Sequence, residues 1–306
     1  MRAPEITLAE FQEKFRREAD CQDFLFKRKW PDGFRCPACG NDTYWAIHKA
    51  DHLLYECRRC RHQTSLTAGT IFHRTRLPLW KWLWAIFFVA RDKRGHSALA
   101  LKKDIQVNYK GALRMLRRIR SAMAQRDAGY TLGGLPTEVD DAYFGGQDRD
   151  SGHCGRGTTQ VPVLVAITLG SAEGEYPEFL RMLPLKKLDR PTVEAALKKM
   201  VEPGSELKTD GLSVYSGLED AGYQHERIVM AGLSPQAHFR WVHIAISNAK
   251  AFIDGTFHGV TKQYLGEYLD EFCYRFNRRR WEGELFGRLV NACLAAKPLA
   301  APSRAT

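Results

Sequence analysis

Two adjacent carboxylates, Asp140 and Asp141, lie in the stretch TEVDDAYFGG, which runs from Thr137 to Gly146. The apolar and β-prone residues around them predict a strand. Side chains alternate between the faces of a strand, so Asp140 shares a face with Ala142 and Phe144. Asp141 then points to the opposite face. Such a carboxylate can face a buried site with perturbed chemistry, or it can be a solvated edge residue or an ion-pair partner. The pair by itself leaves both interpretations open.

A further carboxylate, Asp210, ends a strand-like run that reads Leu-Lys-Thr-Asp-Gly from Leu207 to Gly211. Between the two sites the pattern predicts two buried strands, at 161–169 and 178–185, and a helix at 191–201. A short helix is expected around 214–218. A ribonuclease-H-like sheet has this order of elements and brings carboxylates at these two positions together at its centre.

Four cysteines form two C-x2-C pairs, Cys36/Cys39 and Cys57/Cys60, with 17 residues between the pairs. Two such knuckles joined by a β-hairpin are typical of a tetrahedral zinc site, and the spacing favours zinc over a redox-active pair. Four thiolates leave no open coordination position, so this zinc is predicted to be structural. Three arginines beside the second knuckle are predicted to contact DNA phosphates, namely Arg58, Arg59 and Arg61.

Positive charge is concentrated in the first part of the chain. The 306 residues carry a net charge of +11, and residues 1–130 hold 26 Lys and Arg against 13 Asp and Glu. The remaining residues hold 20 against 22. This asymmetry indicates an N-terminal region that binds a polyanion, with nucleic acid favoured over a merely soluble basic domain.

A helix, a short turn and a basic helix follow the cysteines. Ser97 and Asn108 are the expected N-caps of the two helices, and the second helix carries Lys110, Arg114, Arg117 and Arg118 beside its apolar face. This layout predicts a helix-turn-helix whose second helix enters a DNA groove, although exposed helices often carry several arginines.

The predicted fold class is multidomain α+β, with an N-terminal zinc ribbon and helix-turn-helix followed by a ribonuclease-H-like α/β catalytic domain. The predicted domains are N-terminal helices at 1–30, a zinc ribbon at 31–70, a helical DNA-binding region at 71–126, the catalytic domain at 127–290 and a disordered tail at 291–306. A polar, glycine-rich segment from Gln147 to Gln160 is expected to be mobile. The most apolar run, Leu77 to Ala90, is too short to span a bilayer.

Several phrases, taken together and in order, resemble bacterial insertion-sequence transposases with a zinc ribbon, related to the Merlin group. They are the two cysteine knuckles, TSLTAGTIFH, VDDAYFGG, TDG at 209–211, SNAKAFIDGTFHGV at 247–260 and YLDEFCYRFNRR at 268–279. The resemblance implies a DDE-type enzyme that binds the terminal inverted repeats of its element, hydrolyses their strand ends and joins the 3′-OH ends to target DNA. It also implies two divalent ions, held by Asp140 and Asp210 with magnesium as the expected ion. Asp141 is assigned no metal.

The third metal ligand departs from the usual pattern. Relatives with a full acid triad place Glu seven residues before a Lys that stands five before Gly-Thr; here that Lys is Lys250 and the matching residue is His243. Variants with Asn make Asn248 the competitor. On a helix, His243 and Lys250 lie within about 20° of one another, whereas Asn248 is about 140° away from His243. His243 is therefore preferred, and an imidazole ligand makes manganese a plausible alternative ion. Lys250 is expected to contact phosphate near the scissile bond.

The resemblance leads to a DNA transposase that acts as a homodimer on double-stranded DNA in the cytoplasm, at the nucleoid when bound. Because the third acid is replaced, a catalytically weak or domesticated zinc-ribbon DNA-binding protein is the alternative. A structure-selective nuclease on the same fold is a further possibility.

Overall fold

The computed structural model of the chain describes residues 6–49, 52–145, 159–170, 176–228 and 239–299. The predicted polar segment from Gln147 to Gln160 lies mostly outside these residues. The elements of the first part of the described chain are α1 (Leu8–Lys14), α2 (Glu18–Lys29), β1 (Tyr44–Lys49), β2 (His52–Cys57), β3 (Gln63–Ser65), α3 (Leu79–Arg91), α4 (Ala98–Asp104) and α5 (Tyr109–Asp127). They are followed by β4 (Thr137–Phe144), β5 (Val161–Gly170), β6 (Tyr176–Pro184), α6 (Arg190–Met200), β7 (Glu206–Thr209), β8 (Gln224–Arg227), α7 (Arg240–Phe257), α8 (Leu265–Phe276) and α9 (Leu285–Ala295).

The described residues form two units, with boundaries after Arg126 and after Arg280. The unit that contains the N-terminal helices has an aromatic core. The Phe11 ring stacks on Phe87 at a centroid distance of 4.2 Å and meets Phe286 edge-on at 5.5 Å. The Glu18 carboxylate accepts hydrogen bonds from the first two backbone N–H groups of α3, at 2.7 and 3.1 Å. An acidic group at a helix N-terminus satisfies donors that have no partner within the helix.

The C-terminal residues differ from the prediction of a tail from residue 291. Helix α9 runs to Ala295 and belongs to the same unit as α1 to α4. Leu289, Val290 and Cys293 are fully buried, and the backbone N–H of Ile71 donates to the Cys293 carbonyl at 3.3 Å. The apolar spacing of this helix, which packs on α3, makes it part of the core. The predicted assignment of 281–290 to the catalytic domain is corrected for the same reason.

Helices α4 and α5 begin where the caps were predicted. The Ser97 hydroxyl accepts from the backbone N–H of Ala100 at 3.1 Å, and the Asn108 side chain accepts from Gly111 at 2.7 Å. The turn between these helices contains Gln106 in the left-handed region, with φ of 51°. The sequence of helix, turn and basic helix is therefore present.

The other unit is built on a five-stranded sheet with the order β6-β5-β4-β7-β8. Strands β4, β5 and β6 pair antiparallel, whereas β7 pairs parallel to β4 and β8 parallel to β7. Strand β8 was missed because its sequence, Gln-His-Glu-Arg, has no apolar alternation and lies at the sheet edge. The mixed α/β character of this unit agrees with the predicted class.

The two faces of the sheet have separate cores. Ala142 and Phe144 of β4 pack against α7 and α8, while Val139 packs on the other side with α6 and the short helical turn Ser213–Tyr215. This alternation confirms that neighbouring residues of β4 face opposite cores. Within the described part of the chain, no helix combines the length and apolar character that a membrane span requires.

Candidate active site and metal centres

The register of two parallel strands places Asp140 and Asp210 level with each other. Glu138 of β4 is paired with Lys208 of β7, and each of the two aspartates lies two residues further along its strand direction. Parallel neighbours are about 4.8 Å apart, and the charge of Asp140 raises the pKa of Asp210, so the two carboxyl groups lie in the same region of the sheet. The sheet thus brings together two predicted site residues that are 70 positions apart in the sequence.

His243, on the first turn of α7, completes this group. Its Nε2 lies 3.1 Å from Oδ2 of Asp140, and the side chains are 39% and 18% exposed. The hydrogen bond to Asp140 raises the pKa of His243, against the opposing effect of partial burial. The imidazole therefore sits where a positive charge is favoured.

The Asp210 carboxyl is partly buried. Burial raises its pKa, and the nearby charge of Asp140 acts in the same direction. Its Oδ1 accepts a hydrogen bond from the backbone N–H of Leu212 at 3.0 Å. The charges of Arg227 and His243 act in the opposite direction and lower the pKa of Asp210. Positive groups therefore already lie near the two acids.

Glu138 is a buried acid that the sequence analysis overlooked. It is 2% exposed, and its Oε2 accepts from the backbone N–H of Val242 at 2.8 Å. Helix α7 has no side-chain cap from its own N-cap residue, Phe239, so a carboxylate of β4 contributes to its N-terminus. The signal was available, because Glu138 lies two residues before Asp140 and shares its face.

Asp141 lies on the other side of β4, as predicted. Its Oδ1 accepts a hydrogen bond from the Tyr215 hydroxyl at 2.9 Å. Burial raises the pKa of Tyr215 well above its ordinary value, and the negative charge of Asp141 adds to this effect. This hydrogen bond therefore involves a neutral phenol that donates to a carboxylate.

A cleft of about 500 Å³ runs from Asp140 along α7, and among the described residues it is lined by Asp140, Asp141, Ala142, Tyr143, Phe144, Gly145, Gln160, His243, Ile246, Lys250, Ile253 and Asp254. His243, Lys250 and Asp254 recur at intervals of seven and four residues, which keeps them on one helix face. The Lys250 ammonium is 5.7 Å from the centre of the Phe144 ring. Asn248 is exposed and is absent from that lining.

The residues fit the metals that the sequence predicts to different degrees. Within the described chain, Cys36, Cys39, Cys57 and Cys60 form a group whose ligand atoms all lie within 4.8 Å of one another. Among the described residues, Asp140, Asp210 and His243 form no group as tight as this. His243 lies 3.1 Å from Asp140, so Asp210, whose carboxylate accepts a hydrogen bond from Leu212, is the more distant member. Two carboxylates and an imidazole are nevertheless suitable donors for magnesium or manganese.

The cysteine site has the shape of a zinc ribbon. The Sγ atoms of Cys36 and Cys60 are 3.6 Å apart, as are those of Cys39 and Cys57. Bonds of about 2.3 Å to a tetrahedral zinc give separations of this size. Residues Gly40 and Arg61, each directly after a knuckle, both have positive φ, at 72° and 61°. The two knuckles therefore have the same type of backbone turn. The three-stranded sheet β1-β2-β3 holds the two turns together.

The predicted DNA-contacting residues divide into exposed and internal groups. Arg58, Arg59, Lys110 and Arg114 are exposed, and the Arg58 guanidinium stacks on Trp45 at 4.0 Å. Arg61 is exposed and pairs with Glu56 at 3.1 Å. Arg117 is half-buried.

Arg118 differs from the prediction of a DNA contact. Its guanidinium donates to the backbone carbonyls of Ile71 and His73 at 2.9 and 3.3 Å. It therefore holds the chain that follows the zinc ribbon.

Comparison with known proteins gives two matching domain profiles and a relative of this chain. Residues 131–277 match a family profile described as an ISXO2-like transposase domain, and residues 16–63 match a profile described as a transposase zinc-ribbon domain. A protein of the transposable element ISH50 from Halobacterium salinarum is 24% identical over 282 residues, covering 85% of this chain and 91% of that relative. The sequence-based resemblance to zinc-ribbon insertion-sequence transposases is confirmed by these matches.

Proposed function

Because the chain belongs to the IS1595 family of insertion-sequence transposases, we propose that it binds the terminal inverted repeats of its element, cleaves DNA strands at those ends and joins them to target DNA. The single observation that carries the catalytic part is the convergence of Asp140, Asp210 and His243 at the end of two parallel strands. The sheet order β6-β5-β4-β7-β8, with three antiparallel strands followed by two parallel ones, supports the proposal that this unit is a ribonuclease-H-like catalytic domain.

Asp140, Asp210 and His243 are the proposed ligands of catalytic magnesium or manganese. The chemistry that bound divalent ions supply is activation of water or the 3′-hydroxyl and stabilisation of the leaving oxygen. His243 would hold the ion through Nε2, the atom that lies 3.1 Å from Asp140 Oδ2. Lys250 lies about 10 Å further along α7 than His243. We therefore propose that Lys250 contacts a phosphate of the same DNA strand near the reacting phosphate, and not the reacting phosphate itself.

DNA binding is assigned to the basic N-terminal unit. The structural zinc holds the ribbon that presents Arg58 and Arg59, and α5 presents Lys110 and Arg114. Phosphate contacts of this kind supply sequence-independent affinity. Joining two DNA ends requires two catalytic centres, so we expect a homodimer on DNA, which light scattering of the complex measures directly.

The decisive experiment compares Asp210→Ala with Asp254→Ala, using duplexes that carry the ends of the element with Mg²⁺ or Mn²⁺. Asp254 lines the same cleft but is eleven residues along the helix from His243, about 16 Å away. We expect Asp210→Ala to reduce strand cleavage at least 100-fold while end binding changes by less than about twofold, because removing a metal ligand affects the chemical step. Asp254→Ala is expected to retain cleavage.

The products separate the possible functions. Joined strands from wild-type protein support a transposase. End binding without cleavage would favour a DNA-binding protein, and cleavage of branched DNA without joining would favour a nuclease. Cleavage by Asp210→Ala at the wild-type rate would show that the metal assignment is wrong.

The third ligand is tested by two alanine variants on one helix. His243→Ala should lose cleavage, whereas Asn248→Ala, with an exposed side chain outside the cleft, should cleave at close to the wild-type rate. The opposite result, with full activity in His243→Ala and loss in Asn248→Ala, would transfer the role to Asn248.

A further inference from the structure

The ladder between the strands that carry Asp140 and Asp210 stops before it reaches them. The parallel pairing of β4 with β7 covers Thr137 with Leu207 and Glu138 with Lys208. Both carboxylates therefore lie beyond the hydrogen-bonded part of the strand pair. The charge of Asp140 acts on Asp210, and two nearby negative charges repel one another, so the segment that carries Asp210 depends on contacts outside the ladder to stay near Asp140 before a cation binds.

The segment that follows Asp210 is short and internally bonded. The Asp210 carboxylate accepts from the Leu212 N–H at 3.0 Å, and the Tyr215 N–H donates to the Leu212 carbonyl at 3.2 Å. Tyr215 ends the helical turn Ser213–Tyr215. One turn of chain and these two hydrogen bonds thus connect Tyr215 to the Asp210 carboxylate.

Tyr215 is held from the back of the sheet. It is fully buried among Val139, Leu197 and Leu218, and its hydroxyl donates to Asp141 Oδ1 at 2.9 Å. Asp141 is the neighbour of Asp140 on β4. One hydrogen bond therefore connects the residue after the first proposed ligand with the turn that follows the second.

We propose that Asp141 and Tyr215 are positioning residues, which hold the 210–215 turn against β4 so that Asp210 faces Asp140. This inference rests on the proposed function of Asp140 and Asp210 as metal ligands. It explains the acidic pair as two carboxylates with separate tasks, one on each side of the sheet. A hydrogen bond to a charged acceptor is stronger than one between neutral groups, so this bond favours one arrangement of the short turn.

The test uses Tyr215→Phe, Asp141→Ala, their combination and Asp141→Asn. Tyr223→Phe is the matched control, because Tyr223 is 5% exposed in the same core and donates its hydroxyl to the Val201 carbonyl at 3.4 Å, away from the site. Three quantities are measured on the full-length zinc-loaded protein: hydrogen exchange of the 211–215 amides, Mn²⁺ affinity by calorimetry, and kcat and KM for cleavage of end DNA.

We expect Tyr215→Phe and Asp141→Ala each to speed exchange of the 211–215 amides and to weaken Mn²⁺ binding, both by about tenfold, which corresponds to about 1.4 kcal/mol. The value of kcat should fall while KM for DNA stays constant. The double variant should be no worse than either single variant, since both remove the same bond. Asp141→Asn keeps an acceptor oxygen and should restore most of each quantity.

Other outcomes would overturn the inference. If Tyr215→Phe behaves like Tyr223→Phe in all three measurements, the hydrogen bond does not position Asp210. If Asp141→Asn is as impaired as Asp141→Ala while Tyr215→Phe is active, Asp141 is itself a metal ligand. If wild-type protein neither binds Mn²⁺ nor cuts DNA, the proposed function fails, and the exchange measurement alone still decides whether the tether exists.

Discussion

At the scale of single residues, the acids of β4 have different tasks because successive side chains face different surroundings. Asp140 faces His243 in an open cleft, and Asp141 faces the buried Tyr215 hydroxyl. Glu138, two residues before Asp140, reaches the start of α7. The contacts of an acid in this strand therefore depend more on the direction in which its side chain points than on whether it is Asp or Glu.

Glu138 provides a residue-scale prediction. Glu138→Ala leaves the buried N–H of Val242 without this acceptor, so we expect the free energy of unfolding in urea to fall by about 1–3 kcal/mol. Glu138→Gln keeps an amide oxygen for the same bond and should lose less. The control Glu226→Ala removes an exposed carboxylate that lies 3.8 Å from Lys208 and should change stability by less than about 0.5 kcal/mol. Equal losses for Glu138→Ala and Glu226→Ala would contradict this role.

At the scale of elements, α5 combines two kinds of arginine. Arg114 is exposed, whereas Arg118 binds the carbonyls of Ile71 and His73. A count of basic residues along the helix treats them alike. Their direction separates a residue that is available to DNA from one that holds the fold.

Arg114→Ala is therefore expected to affect DNA binding, and Arg118→Ala is expected to affect the stability of the fold. Arg114→Ala should weaken end-DNA binding several-fold and reduce the slope of log affinity against log salt by about 1, with stability changed by less than about 0.5 kcal/mol. Arg118→Ala should lower stability by about 1–3 kcal/mol. Fluorescence anisotropy at several salt concentrations and thermal unfolding measure the two effects. A salt slope unchanged in Arg114→Ala would exclude this residue from the interface.

At the scale of the whole molecule, fold stability depends on buried charge. Burial raises the pKa of Asp270, on α8, from its ordinary 3.8 to about 6, with the charge of Arg181 opposing this and that of Asp127 adding to it. The folded protein then holds a proton between about pH 4 and 6 that the unfolded chain releases. The stabilisation of the folded protein by this bound proton is fully present below about pH 4 and is lost as the pH rises through about 6.

Asp270→Asn removes this pH dependence. We expect the variant to be more stable than wild type at pH 7, by about 1–3 kcal/mol, and the advantage to disappear towards pH 4. The melting temperature from pH 4 to 7 measures the difference, and Asp220→Asn, which changes a side chain that is 85% exposed, is the control. A constant difference between Asp270→Asn and wild type across this range would show that the carboxyl does not titrate there.

The sequence by itself determined whatever depends on local spacing. The cysteine pairs define the zinc centre, the caps Ser97 and Asn108 define two helices, and the alternation along β4 separates Asp140 from Asp141. These features are local because a knuckle, a cap or a pleat involves only a few neighbouring residues. The resemblance to insertion-sequence transposases likewise rested on short phrases in order.

Only the tertiary structure decided which distant groups meet. The pairing of β4 with β7 sets Asp140 level with Asp210, α7 turns His243 towards Asp140, and the sheet brings Tyr215 behind Asp141. It also recruits α9 into the N-terminal core and turns Arg118 inward. Such contacts join residues tens to hundreds of positions apart, and they follow from the packing of whole helices and strands, which no local pattern encodes.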